Sequence, residues 1–138
     1  MIEVNAYIFF NRNCAEAMRF YEKTLGGKLR LLTAKEMPEA KVPPEMGDAI
    51  MHARLDLDGG GFFMASDWMS PGAYPAMHGF RVSLSYSTVA EASRIFDALA
   101  AGGSVELPFA KTFWSPGFGM LTDRFGTPWM VGSEEGHH

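Results

Sequence analysis

The sequence predicts an α+β fold of two tandem βαβββ modules. Three observations carry that expectation. A helix-like segment occurs twice, strand-like runs stand before and after each copy, and paired glycines close both copies. Of the 138 residues, 47% are hydrophobic and 20% are charged, with a formal net charge of −4. A globular chain of this size buries roughly two-thirds of its unfolded surface. The composition excludes intrinsic disorder, a collagen-like fibre and a disulfide scaffold.

Residues 4–10 read as the first strand. The helix after them, Ala15-Glu16-Ala17-Met18-Arg19-Phe20-Tyr21-Glu22, recurs 75 positions later as Ala90-Glu91-Ala92-Ser93-Arg94-Ile95-Phe96-Asp97. Each copy opens with a polar residue three before a glutamate, Asn13 with Glu16 and Thr88 with Glu91. That is the capping-box spacing, which satisfies backbone donors at a helix start. Gly26-Gly27 and Gly102-Gly103 stop the two copies, since glycine takes the left-handed conformation at helix ends. Ala17, Phe20, Tyr21 and Leu25 fall at helical spacing, as do Ala92, Ile95, Phe96 and Leu99.

After the first helix, residues 28–34, 49–56 and 62–66 read as strands, the last two joined across Gly59-Gly60-Gly61. Residues 36–48 carry Pro38, Pro43 and Pro44 and are expected to form a loop. A second loop, 68–78, joins the halves. In the second half 80–86 precede the helix, and 104–109, 119–122 and 128–132 follow it. The expected modules are therefore about 1–68 and 78–133 of a single domain.

Mild acidity argues against nucleic acid or anionic membrane as a partner. The apolar runs are far shorter than the ~20 residues that cross a bilayer. Met1 is not followed by a secretion signal. Cys14, the single cysteine, fits a reducing interior and excludes an intrachain disulfide. The expectation is a soluble cytoplasmic protein. Glu135-Gly136-His137-His138 reads as a truncated purification tag, which leaves His52 and His78 as the native histidines.

The duplicated βαβββ arrangement resembles the vicinal oxygen chelate superfamily of glyoxalases, extradiol dioxygenases and antibiotic-resistance proteins. Particular runs sharpen the likeness: Glu16 to Tyr21 through Gly26-Gly27, Met51-His52-Ala53, Met64-Ala65-Ser66-Asp67, Phe113-Trp114, and Leu121-Thr122-Asp123-Arg124-Phe125-Gly126-Thr127-Pro128-Trp129. These look like the PhnB-like branch, which also carries the label demethylubiquinone methyltransferase-like, across about residues 2–133. The resemblance implies a cupped mixed sheet with helices outside, a small-molecule ligand and a homodimer. The methyltransferase label fails a physical test. Gly59-Gly60-Gly61 links two strands, with no helix pattern after it to bind the methyl donor, and no GxxxxGK[ST] loop is present.

In metal-using members the resemblance implies four ligands, His or Glu, one on the first and last strand of each module. They hold a divalent cation that polarises paired substrate oxygens. Alignment through the repeated helices puts Asn5, Phe63, Arg81 and about Val131 at those positions, with Glu3, His78 and Glu134 two or three residues away. Phe and Val carry no donor atom and a guanidinium does not ligate, so neither that metal nor another cofactor is expected.

The candidate site is then a cavity with polar groups. Alternation puts Asn5, Tyr7 and Phe9 on one strand face, which the resemblance turns into the cup. Arg81, Ser83 and Ser85 share a face in the second half, opposite Phe80, Val82 and Leu84 as the core face. Arg81 could bind an anionic substrate, or pair with Asp67 or Asp123. His52 could move a proton, or hydrogen-bond structurally beneath a loop. Asp67 and Asp123 end strands and are either ligand contacts or turn caps. Trp114, beside Pro116, could wall a ligand with Phe113, whereas Trp129 suits the core. Cys14 stands at a helix start, where the dipole favours a thiolate, yet it has no base near it in sequence.

Three functions fit this set. One is a small-molecule binding protein or enzyme acting on a small polar or anionic metabolite; if it is an enzyme, His52 handles a proton and Arg81 stabilises negative charge. Its ligand contacts would be Asn5, Tyr7, Phe63, Asp67, Trp114 and Asp123. A second is a sequestering, resistance-type binding protein that depends on Trp114 and Tyr7 but not on His52. The third is a metal-dependent lyase or dioxygenase using His52 with unconventional ligands.

Overall fold

The computed structural model describes residues 2–134, and the expected tag remnant at 135–138 lies outside them. The chain forms two compact units that part between Tyr74 and Pro75.

The first unit contains β1 (Tyr7–Phe10), α1 (Cys14–Leu25), β2 (Lys28–Thr33), β3 (Ile50–Asp56) and β4 (Phe62–Asp67). Its four strands lie in the order β1-β4-β3-β2. β1 runs parallel to β4 and the other pairs are antiparallel, the mixed sheet that a βαβββ module requires. β1 begins at Tyr7 rather than at residue 4, because its ladder with β4 starts at the pair Tyr7 and Met64. The proline-bearing segment holds three short 3₁₀ turns, Ala34–Glu36, Pro38–Ala40 and Pro44–Met46.

The second unit repeats the plan with β5 (Val82–Tyr86), α2 (Val89–Ala100), β6 (Ser104–Ala110), β7 (Gly117–Thr122) and β8 (Pro128–Ser133). The order is β5-β8-β7-β6, again with one parallel pair, β5 and β8. Phe80 falls before β5 and is 47% exposed, so it does not join the core face with Val82 and Leu84.

Each helix buries its apolar stripe on one face of its own sheet. Ala17, Met18 and Tyr21 of α1 are buried with Phe10, Leu55 and Phe63, and the Tyr21 ring meets Phe63 edge-on at 5.9 Å. Ala92, Ile95, Phe96 and Leu99 of α2 are buried with Leu121, Trp129 and Val131. Each fully buried Leu, Ile or Phe contributes ~1.5–3 kcal/mol, so these stripes hold the helices in place.

The helix caps differ between the units. Thr88 Oγ accepts from the Glu91 N–H at 3.2 Å, as its spacing predicts. Asn13 makes no side-chain cap on α1. Asp67, at the end of β4, takes that role by accepting from the Cys14 N–H at 2.9 Å. Both helix exits need glycine for a second reason: a Cβ on Gly27 would strike the Asp56 carbonyl, and one on Gly103 the Thr122 carbonyl. No helix among the described residues is long and apolar enough to cross a membrane.

Candidate functional site

Each sheet has one face covered by its helix and one without. On the open face of the first unit, β1 presents Tyr7 and Phe9, about two-fifths exposed, while Ile8 and Phe10 point inward. β3 presents His52, Arg54 and Asp56 between buried Ala53 and Leu55. This alternation brings Tyr7 Oη within 3.2 Å of His52 Nδ1, a long hydrogen bond that leaves Nε2 unengaged by it. Arg54 stacks on the Phe62 ring at 3.6 Å and pairs with Asp56 at 2.8 Å. Asn5 sits at the edge of this face, its amide nitrogen positioned to donate to the Phe62 carbonyl at 3.2 Å.

Phe63 is not on that face. The period of two puts Phe62 and Met64 on the open side and Phe63 against α1, 4% exposed. Asp67 is also inside, 3% exposed, accepting from the Ile50 N–H at 2.7 Å as well as from Cys14. It is a structural cap on two elements. Cys14 is buried beside it. Burial first, then the Asp67 charge, pushes the thiol far above its usual range, which overrides any dipole effect favouring thiolate.

In the second unit Arg81 lies just before β5, its side chain 24% exposed. Nη2 is 3.1 Å from Glu106, and Nη1 donates to the carbonyls of Leu121 at 3.0 Å and Trp129 at 3.2 Å. Its ion partner is thus Glu106 rather than Asp67 or Asp123. Glu106 also accepts from Thr122 Oγ at 2.7 Å and Ser104 Oγ at 3.0 Å. The Thr122 hydrogen bond is the main cause holding this carboxyl below the usual glutamate range; burial opposes it, and the hydrogen bonds from Arg81 and Ser104 add to the lowering. Arg81 is a strut across the sheet, its charge already matched.

Asp123 is buried in the β7–β8 turn. It accepts from the N–H groups of Phe125 at 2.8 Å and Thr127 at 3.1 Å, and from Trp129 Nε1 at 2.8 Å. Trp129 is fully buried, in keeping with its reading as core.

An open cleft of about 490 Å³ lies on the same unit. Ser83, Ser85, Gly132 and Glu134 line it on one side, and Trp114 and Phe118 on the other. Register explains the hollow: Ser85, Gly132 and Phe118 are neighbours across β5, β8 and β7, and the middle one has no side chain. Trp114 is 48% exposed and packs edge-on to Phe118 at 5.5 Å. Phe113 touches Trp114 at 4.7 Å but is 96% exposed and does not line the cleft. The sequence pointed to Trp114; it gave no sign of Gly132, whose role appears only once three strands are aligned.

A family model described as the Glyoxalase/Bleomycin resistance protein/Dioxygenase superfamily matches residues 3–131. The chain belongs to this superfamily. It is 37% identical to protein YjdN of Escherichia coli (strain K12), over 93% of this chain and 92% of that protein. Among solved structures it is similar to protein PA1353 from Pseudomonas aeruginosa, with a TM-score of 0.87, 41% identity, and 98% and 99% of the two chains covered. The PhnB protein from Bacillus cereus shares the fold, with a TM-score of 0.76 at 21% identity over 96% and 99% of the chains.

The metal centre of the glyoxalase-like superfamily can be tested against the donors present. Beside and along β1 and β4 the open-face groups are a phenol, an amide, two phenyl rings and a thioether, from Tyr7, Asn5, Phe9, Phe62 and Met64. Beside and along β5 and β8 they are the paired Arg81 guanidinium, two serine hydroxyls, the Met130 thioether, Gly132 and the single Glu134 carboxylate. Among the described residues no three His, Cys, Asp or Glu side chains converge. Such a set does not fit a hard or borderline divalent cation, which selects imidazole and carboxylate.

Proposed function

We propose that this superfamily member is a PhnB-like, cytoplasmic, homodimeric protein that binds a small polar metabolite in the cleft between Trp114 and the two serines. One observation carries the proposal. Ser83 and Ser85 have no hydrogen-bond partner for their hydroxyls among the described residues, and they face a half-exposed indole across a gap that Gly132 leaves open. The volume falls in the range of small-molecule sites, and an aromatic wall with a few polar groups is their usual chemistry. Screening amines, amino acids, carboxylates and sugar phosphates for movement of the Trp114 indole NMR signal tests it. A hit that Trp114→Ala abolishes supports the cleft; hits that ignore this substitution remove it.

A second reading is an acid–base enzyme, favoured by the Tyr7–His52 contact on the first unit's open face. The phenol orients the imidazole, leaving Nε2 to exchange a proton with a bound molecule. Arg81 has no part in this version, being matched by Glu106. For a ligand found by the screen, His52→Ala separates the readings. Lost turnover with retained binding favours the enzyme, and unchanged behaviour favours sequestration.

A further inference from the structure

The cleft differs in charge from the anion site that Arg81 suggests in the sequence. Its only ionised lining group among the described residues is Glu134, and no Lys, Arg or His lines it. Glu134 lies two residues beyond Gly132, so alternation along the strand carries its carboxylate toward the side where Gly132 leaves space. It has no ion pair among the described residues. Opposite stands the exposed indole of Trp114, whose π face attracts cations. The serine hydroxyls between them accept hydrogen bonds as readily as they donate them.

We propose that the cleft selects an organic cation, an ammonium group on a small apolar body. The ammonium sits between the Glu134 carboxylate and the Trp114 face, donating to Ser83 or Ser85. The apolar body lies along Phe118 and over Gly132. This assignment rests on reading the cleft as the ligand site and adds the charge of its ligand. An anion of the same size would meet a carboxylate and the negative face of an indole with no cation to compensate, so the cleft works against it.

Three probes of one shape decide the matter: benzylamine, benzyl alcohol and benzoate, titrated at pH 8, where ordinary imidazoles are uncharged. The Trp114 indole NMR signal, assigned by its loss in Trp114→Phe, reports occupancy. Benzylammonium should shift it at the lowest concentration and benzoate at the highest. Glu134→Gln should weaken benzylammonium about two- to fivefold, as expected for a solvent-facing ion pair. It should leave benzyl alcohol unchanged. Benzoate binding ahead of benzylammonium would overturn the cation assignment while leaving the cleft as a ligand site. An unchanged benzylammonium affinity in Glu134→Gln would also overturn it. Silence from all three probes would remove this inference, and with silence in the metabolite screen the cleft itself.

Discussion

A carboxylate that accepts two backbone N–H groups in a dry interior is committed to holding them. Asp67 does so for Cys14 at the start of α1 and Ile50 at the start of β3. Asp67→Ala would leave both donors buried and unpaired, so a loss of about 2–4 kcal/mol is expected, with Asp67→Asn in between. Urea unfolding midpoints measure this, and a loss below about 0.5 kcal/mol would mean that other groups satisfy those donors. Glu106 allows a pH test. Its carboxyl is depressed in the folded state, so the unfolded chain binds the proton more readily. The stability it confers is present above the ordinary value of 4.5 and is lost as pH falls through the lower folded value. The side chain is 35% exposed, which keeps the effect small. The stability gap between wild type and Glu106→Gln should therefore close as the solution is acidified; a gap constant from neutral to acid pH contradicts it. Neither partnership is legible in one dimension. Asp67 is 53 positions from the helix it caps, and Arg81 meets Glu106 only because β5 and β6 belong to one sheet.

Local periodicity declares the elements much better. The helices were readable because their apolar spacing, glutamates and glycines occur twice, and both lie where that repeat puts them. Strand phase was readable on β3, where polar and apolar residues alternate, and on β1 by counting on from the polar Asn5. It failed on β4: Phe62 and Phe63 are chemically alike, and only pairing with β1 tells which one faces α1. The capping box failed in one copy for a related reason, since Asn13 has the right spacing but Asp67 reaches the helix start from another strand. The two tight glycines make a paired prediction. Gly103→Ala clashes with the Thr122 carbonyl and the Asp123 backbone, whereas Gly27→Ala clashes with the Asp56 carbonyl and also needs a φ of +100°. Both should destabilise by about 2 kcal/mol or more, with Gly27→Ala worse by about 1 kcal/mol. Thermal unfolding of the two variants checks the order, and a reversed order would show that the backbone at Gly103 is the less forgiving.

For the whole molecule, superfamily membership fixes the architecture and leaves the chemistry to the residues on it. The donor set argues that binding works without a divalent cation. Dialysis against EDTA should leave both the melting temperature and the Trp114 response to ligand unchanged. A fall of several degrees restored by zinc, nickel or manganese would overturn that argument. The repeated sheets also end differently. Strands β2 and β6 are outermost in their sheets, and an outermost strand offers free amides and carbonyls to any other chain. β2 carries exposed Lys28 and Arg30, which repel a second copy of themselves. β6 instead contains Pro108, which has no amide hydrogen, and its ladder is broken on both sides of Leu107. Dissolved ions screen charge but cannot mend a missing donor. In concentrated salt the protein should be vulnerable to strand addition along β2, while β6 keeps its guard.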